Sequence, residues 1–198
     1  MNRNALNTLA REFDLGIDAR TALTNRQIVE IAGWRTRATD TVAQRYARAE
    51  AVLLATEVRA ADQQLKRNKE ELAGLGERLA PGLQAQPGFG PVTVGAILVA
   101  YSHHGRIRAE GAFASLAGAA PLQTSSGNTV RHRLNRHGDR RLNQALDVIA
   151  RVRMRCNDET KLYVELRTAE GKTYREIKRF LKRYLAGRIF RQLQVLMA

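Results

Sequence analysis

The sequence is poor in the residues that staple or stiffen many small folds. One cysteine, Cys156, stands among 198 residues, which excludes an internal disulfide framework. Four prolines and an aromatic share of 6% are too few for a many-stranded sandwich, so a helical chain is favoured. No apolar run approaches the roughly 18 residues of a membrane span. The start, Met1-Asn2-Arg3-Asn4-Ala5-Leu6, lacks the apolar stretch of a secretory signal. Acidic residues are scarce as well: 19 Asp and Glu face 33 Lys and Arg, a formal net charge of +14. These shortages point to a cytoplasmic protein with no membrane partner and a polyanion as its ligand. A hydrophobic share of 44% still suffices for a buried core and argues against wholesale disorder.

The positive charge is localised. Residues 1–80 carry 13 Lys and Arg against 11 Asp and Glu, and residues 81–125 carry 2 against 1. Residues 126–191 carry 18 against 7, so nearly all of the excess lies in the last third. Cations that crowded repel one another unless a polyanion compensates them, which places nucleic-acid binding there.

From Thr24 a helical period runs through Ile28, Ile31, Ala32, Val42 and Tyr46, and no proline interrupts it before Pro81. Within it Ala47, Ala51, Leu54, Val58, Ala61, Leu65, Asn68, Leu72, Leu75 and Leu79 are spaced alternately by four and three residues. A 3.5-residue repeat keeps one seam facing a partner helix, so it predicts a long helical arm, either a coiled coil that makes a homo-oligomer or an antiparallel hairpin within one chain. Asn68, the polar member of the seam, disfavours registers in which its amide lacks a partner. Pro81-Gly82 and Pro87-Gly88-Phe89-Gly90-Pro91 mark the end of the arm, giving a helical arm over 1–80 and a compact helical domain over 81–198.

The second part reads as short helices. Val92, Ala96, Leu98 and Val99 follow Pro91, which suits a first helical turn. The Gly88-Phe89-Gly90 turn before them resembles the hairpin of helix-hairpin-helix modules, where glycines let backbone N–H groups approach a phosphate; the same residues also serve as an ordinary tight turn. Ala112–Ala117 make a small-residue helix ended by Gly118. Asp139 is placed to cap a helix whose stripe is Leu142, Ala145, Leu146, Ile149 and Val152, with Cys156 as a further core residue and Arg140, Arg141, Arg151, Arg153 and Arg155 on the other faces. Thr173 and Glu176 have capping-box spacing, and Ile177, Leu181, Tyr184, Leu185 and Ile189 continue as a stripe opposite Lys178, Arg179, Lys182, Arg183 and Arg188.

The polar stretch from Gln123 to Gly138 carries the chemistry. Ser125 and Ser126 precede Gly127, and Arg131, Arg133, Arg136, Arg140 and Arg141 follow with His132 and His137. A serine attacking a phosphodiester needs its extra negative charge neutralised, and guanidiniums do that through fixed bidentate hydrogen bonds. The same arginines serve equally to hold phosphates without catalysis. His132 or His137 could act as a general base. With one thiol and no carboxylate at ligand spacing, His103, His104, His132 and His137 are not expected to form a metal site.

Pro87–Thr93, Leu116–Pro121, Ser125–Thr129, Arg136–Leu142 and Arg167–Lys172 resemble, in order and spacing, the C-terminal transposase domain of the insertion-sequence one-ten family, the bridge-RNA-guided transposases. The resemblance covers about residues 25 to 190. It implies DNA as substrate, a guide RNA as partner, a nucleoid-associated protein, and a serine nucleophile at Ser126 with Ser125 as the alternative. It also implies that Arg131, Arg133, Arg136, Arg140 and Arg141 orient phosphates, helped by Gly88, Gly90, Lys178, Arg179, Lys182 and Arg183. In that family a RuvC-like domain with four acidic metal ligands comes first. Here Glu12, Asp14 and Asp18 lie in a short segment with no βαβ pattern, so that domain is expected to be missing. No cofactor is then expected in this chain, and Mg²⁺ is expected only with a RuvC-like domain supplied elsewhere. The expectation is a DNA-recombination protein, truncated and inactive alone. The alternative is a non-catalytic nucleic-acid-binding module that dimerises through its arm.

Overall fold

The computed structural model describes residues 2–123, 132, 133, 135 and 138–198. Eight α-helices account for most of them, so the fold is mostly α. No helix among the described residues is long and apolar enough to cross a membrane. The chain forms two compact units, Met1–Asn68 and Lys69–Ala198, and the division falls inside a single helix.

The first unit contains α1 (Asn2–Glu12), α2 (Asn25–Ala32) and the first part of α3 (Val42–Leu79). Thr24 caps α2 through a capping box with Gln27, whose side chain reaches back to the Thr24 N–H. Leu6, Leu15, Leu23, Ile28 and Ile31 pack against Ala47, Ala51, Ala55 and Val58 of α3. The small alanines let the other segments lie close to the α3 backbone. The helix α1 lies before the point at which the sequence period begins. Val42 and Tyr46, read as members of that period, are exposed, because the buried face of α3 starts at Ala47.

The connection from α2 to α3 is fixed by a buried ion pair. The Arg48 guanidinium donates to both Asp40 carboxylate oxygens, at 2.8 and 2.9 Å, with the two side chains 3% and 5% exposed. The Arg37 N–H also donates to Asp40, and Arg48 lies over the Trp34 ring at 5.0 Å. Hydrogen bonds from Arg48, then from the Arg37 backbone, hold the Asp40 carboxyl down at about 2.

From Arg59 to Glu71 every residue of α3 is exposed. The first half of its seam, with Ala47, Ala51 and Val58, is buried in the first unit, whereas Leu65, Leu75 and Leu79 are exposed.

The second unit holds the end of α3, a one-turn 3-10 helix (Leu83–Ala85), α4 (Pro91–Tyr101), α5 (Glu110–Leu116), α6 (Arg140–Cys156), α7 (Asp158–Ala169) and α8 (Tyr174–Leu196). Strands β1 (Leu122–Gln123) and β2 (His132–Arg133) pair antiparallel, Leu122 opposite Arg133. Phe89, Ile97, Phe113, Leu142, Leu146, Ile149, Leu185 and Ile189 lie in one core. Tyr101, Phe113 and Phe190 meet there with ring centroids 6.0–6.4 Å apart. The side chains of Asp139, Asn157 and Thr173 cap α6, α7 and α8, and Thr173 forms the capping box with Glu176.

Three expected placements are corrected. Cys156 is exposed, because it is the last residue of α6 and lies beyond the packed stripe. Arg153 is instead buried on that stripe, where the start of α7 covers it. Tyr184 is exposed, because the buried face of α8 runs through Ile177, Leu181, Leu185 and Ile189.

A folded-state Asp40 near 2, against about 3.9 in an unfolded chain, gives stabilisation that is full above about pH 4 and lost as pH falls through about 2. Urea unfolding followed by Trp34 fluorescence is expected to show Asp40→Asn less stable than the parent at pH 7, with the gap closing near pH 2. A gap independent of pH contradicts this account.

Candidate nucleic-acid interface

The C-terminal end of α5 organises the site. Gly118 (φ +63) ends the helix in a Schellman arrangement: its N–H donates to Ser115 O at 3.0 Å and that of Ala119 to Ala114 O at 2.8 Å. The carbonyls of Leu116 and Ala117 still lack helical partners. The chain returning from β2 supplies them. The Asp139 N–H donates to Leu116 O at 2.7 Å and Asn143 Nδ2 to Ala117 O at 2.6 Å, while Asn135 Nδ2 donates to Ser115 O at 2.9 Å. Gly138 lies so close to Gly118 that a Cβ there would stand 2.7 Å from the Gly118 Cα. The exit of the 123–138 stretch is thereby tied to α5, and the β1–β2 pairing closes it nearer its start.

Ser125, Ser126, Arg131, Arg136 and His137 lie outside the described residues. The Arg133 backbone pairs in β2 with Leu122. Arg140 and Arg141 are exposed in the first turn of α6, just after the capping Asp139. The Asp139 carboxylate already offsets the positive end of this helix, and the two guanidiniums beside it stay exposed to solvent.

The cations of α8 are divided. Lys178 Nζ is 3.0 Å from Asp147 Oδ1, and Lys182 Nζ is 3.8 Å from the same oxygen. Lys182 also donates to Asn143 Oδ1 at 2.8 Å, so it braces the amide that holds Ala117. Burial, reinforced by Lys178, lowers the Lys182 pKa against the opposing pull of Asp147. Burial raises the Asp147 carboxyl, but Lys178, Lys182 and Arg151 outweigh it and hold it low. Arg183 and Arg191 share Glu110, at 3.4 and 2.6 Å. Arg179 is exposed and has no ion pair among the described residues.

The two glycines of the turn before α4 differ. Gly88 (φ +90) packs its backbone against Ile149 of α6, and a Cβ there would come within 2.9 Å of the Ile149 Cα. Gly90 is open to solvent as the N-cap of α4, and the Thr93 hydroxyl donates to its carbonyl at 2.7 Å. Asn135 and Asn143 were missed by sequence reasoning. Their only local signal is a polar residue close to a helix start.

These features define a class: a mostly helical, basic protein that mounts a serine- and arginine-rich segment between two helices. Residues 80–165 match the family model for the Transposase IS116/IS110/IS902 family, and over that segment the chain carries a transposase domain of this family. The match runs from the end of α3 into α7 and includes the whole 123–138 stretch with its anchors; α8 lies beyond it. No curated protein matches the chain.

The Gly118–Gly138 contact leaves no room for a side chain. Gly138→Ala is expected to cost about 1–3 kcal/mol, the usual range for overpacking, by urea unfolding. Gly111→Ala, where the space around the added methyl is open, is expected to be neutral or slightly stabilising. Equal effects at the two positions would contradict the close packing.

Proposed function

We propose that this chain takes part in DNA transposition of an insertion sequence, with Ser126 as nucleophile. The observation that carries the reading is the anchoring of the stretch bearing Ser126 and its arginines to the end of α5 and the start of α6, inside the segment that matches the transposase family. In this reading the Ser126 hydroxyl loses its proton and its oxygen bonds to a DNA phosphorus. The phosphodiester bond to one strand end breaks, and the departing oxygen takes up a proton. The phosphoserine ester keeps the phosphodiester's energy, so a strand hydroxyl can reverse the step without ATP. Arg131, Arg133, Arg136, Arg140 and Arg141 neutralise and orient the phosphates.

Mg²⁺ belongs to the family's acidic domain. Among the described residues no three His, Cys, Asp or Glu side chains group as candidate ligands. Cleavage in this reading draws on a RuvC-like domain acting together with this one, and a guide RNA shares the basic surface with DNA at the nucleoid. The exposed half-seam of α3, with Leu65, Leu75 and Leu79, favours homo-oligomerisation through the arm. It also favours the second reading, a non-catalytic nucleic-acid clamp that dimerises there.

The deciding assay incubates the chain with labelled element-end DNA, Mg²⁺ and guide RNA, with and without a separate RuvC-like domain, and looks for a protease-sensitive adduct. The adduct is expected with the parent and Ser125→Ala and absent with Ser126→Ala; an adduct that persists in Ser126→Ala overturns the nucleophile assignment. Absence of any adduct alongside salt-sensitive binding favours the clamp. Sedimentation equilibrium tests the arm: Leu65→Asp with Leu75→Asp is expected to give monomers from a self-associating parent, and a parent already monomeric at micromolar concentration removes the dimer.

A further inference from the structure

A second place in the same unit has the chemistry of a nucleotide subsite. Val148, Arg151, Val152, Met154 and Arg155 of α6 form with Tyr174 of α8 a cleft of about 510 Å³. That lies within the range of small-ligand sites, roughly 300–1,000 Å³. Tyr174 is the first residue of α8 and 55% exposed, yet its backbone is held on both sides of the cap. Thr173 Oγ1 accepts from the Glu176 N–H, and the Glu176 carboxylate accepts from the Thr173 N–H. Lys178 Nζ stands 6.0 Å from the Tyr174 ring centroid.

The lining combines three kinds of group. The ring of Tyr174 is a flat stacking surface. Val148, Val152 and Met154 are half-buried apolar walls. Arg151 and Arg155 are exposed cations; Arg151 pairs with Asp147 at 3.0 Å, while Arg155 has no ion pair among the described residues. An apolar ligand leaves the Arg155 guanidinium unused, and a bare anion leaves the ring and the valines unused. A nucleotide satisfies both, its base against Tyr174 and the apolar wall and its phosphate at Arg155 and Arg151. Bases in a duplex already have both faces stacked, so the ligand this cleft suits is an unpaired nucleotide.

We infer that the cleft between α6 and the start of α8, around Tyr174 and Arg155, binds an unstacked nucleotide of a single nucleic-acid strand. The inference deepens the reading of this chain as a nucleic-acid-binding transposase and rests on it. It places single-strand capture on α6 and α8.

The test measures binding of the full chain to labelled oligothymidylate, oligouridylate and a mixed-sequence DNA duplex. Tyr174→Ala is expected to weaken single-strand binding about 10-fold, in line with the loss of one base–aromatic stack, and to leave duplex binding unchanged. Tyr174→Phe retains the ring and is expected to bind like the parent. Arg155→Ala is expected to reduce the salt dependence of single-strand binding by about one phosphate contact. Photocrosslinking to 5-iodouracil in either oligonucleotide is expected to map to Tyr174, and the two sugars show which strand type the cleft prefers. Single-strand binding unchanged by Tyr174→Ala, with no crosslink at Tyr174, overturns the subsite while leaving nucleic-acid binding intact. Failure of the parent to bind any of the three probes overturns the underlying reading as well.

Discussion

The structure around the serine-bearing stretch depends on how the last carbonyls of α5 are satisfied. A helix that ends inside a protein leaves acceptors that water cannot easily reach, and each must find a donor. Gly118 turns the chain so that two are closed locally, and the Asp139 amide and the Asn143 side chain close the next two. That requirement holds the start of α6 against the end of α5. It also makes glycine necessary at 138, where a Cβ would run into the Gly118 backbone, and at 118, where φ is +63 and a Cβ would stand 2.9 Å from Asn143 Nδ2. Lys182, bound to Asn143, carries the same constraint across to α8.

Charge in the second unit is more ordered than a count of lysines and arginines suggests. Asp147 and Glu110 each gather several cations, so Lys178, Lys182, Arg183 and Arg191 join α8 to α6 and α5. Most of these pairs are partly exposed, where an ion pair contributes little stability, and their value lies more in fixing the helices' relative positions. Arg140, Arg141, Arg155 and Arg179 are exposed with no carboxylate partner among the described residues. Lys172 and Arg175 are likewise exposed without an ion pair, so these six are the described cations of the basic segment left open to an anion.

The first unit solves a different problem with a similar device. Its core is built on alanines of α3, which permit close approach but add little apolar area each. The buried Arg48–Asp40 pair, with Trp34 under the guanidinium, fixes the chain that leads into α3. Such a pair is costly to desolvate and more costly to break, so it specifies one path for the connection more than it adds stability.

Whatever depends on neighbours in sequence was legible from the sequence. The Asp139 cap, the Thr173–Glu176 box, the α6 stripe from Leu142 to Ile149 and the length of α3 follow from local spacing, and the structure has them. The ordered motifs around Gly88, Gly118, Ser126 and Gly138 were legible as a family likeness, and the family match over 80–165 agrees with it. Tertiary structure alone decided the rest. It put Arg153 inside and Cys156 outside, because the start of α7 covers one and not the other. It buried half of the α3 seam and left Leu65, Leu75 and Leu79 open. It also gave Lys182 to Asn143 and Arg183 to Glu110, partners 39 and 73 residues away in the chain. Periodicity shows that a helix has two faces; which face is covered, and which cation is already neutralised, depends on segments that meet only when the chain has folded.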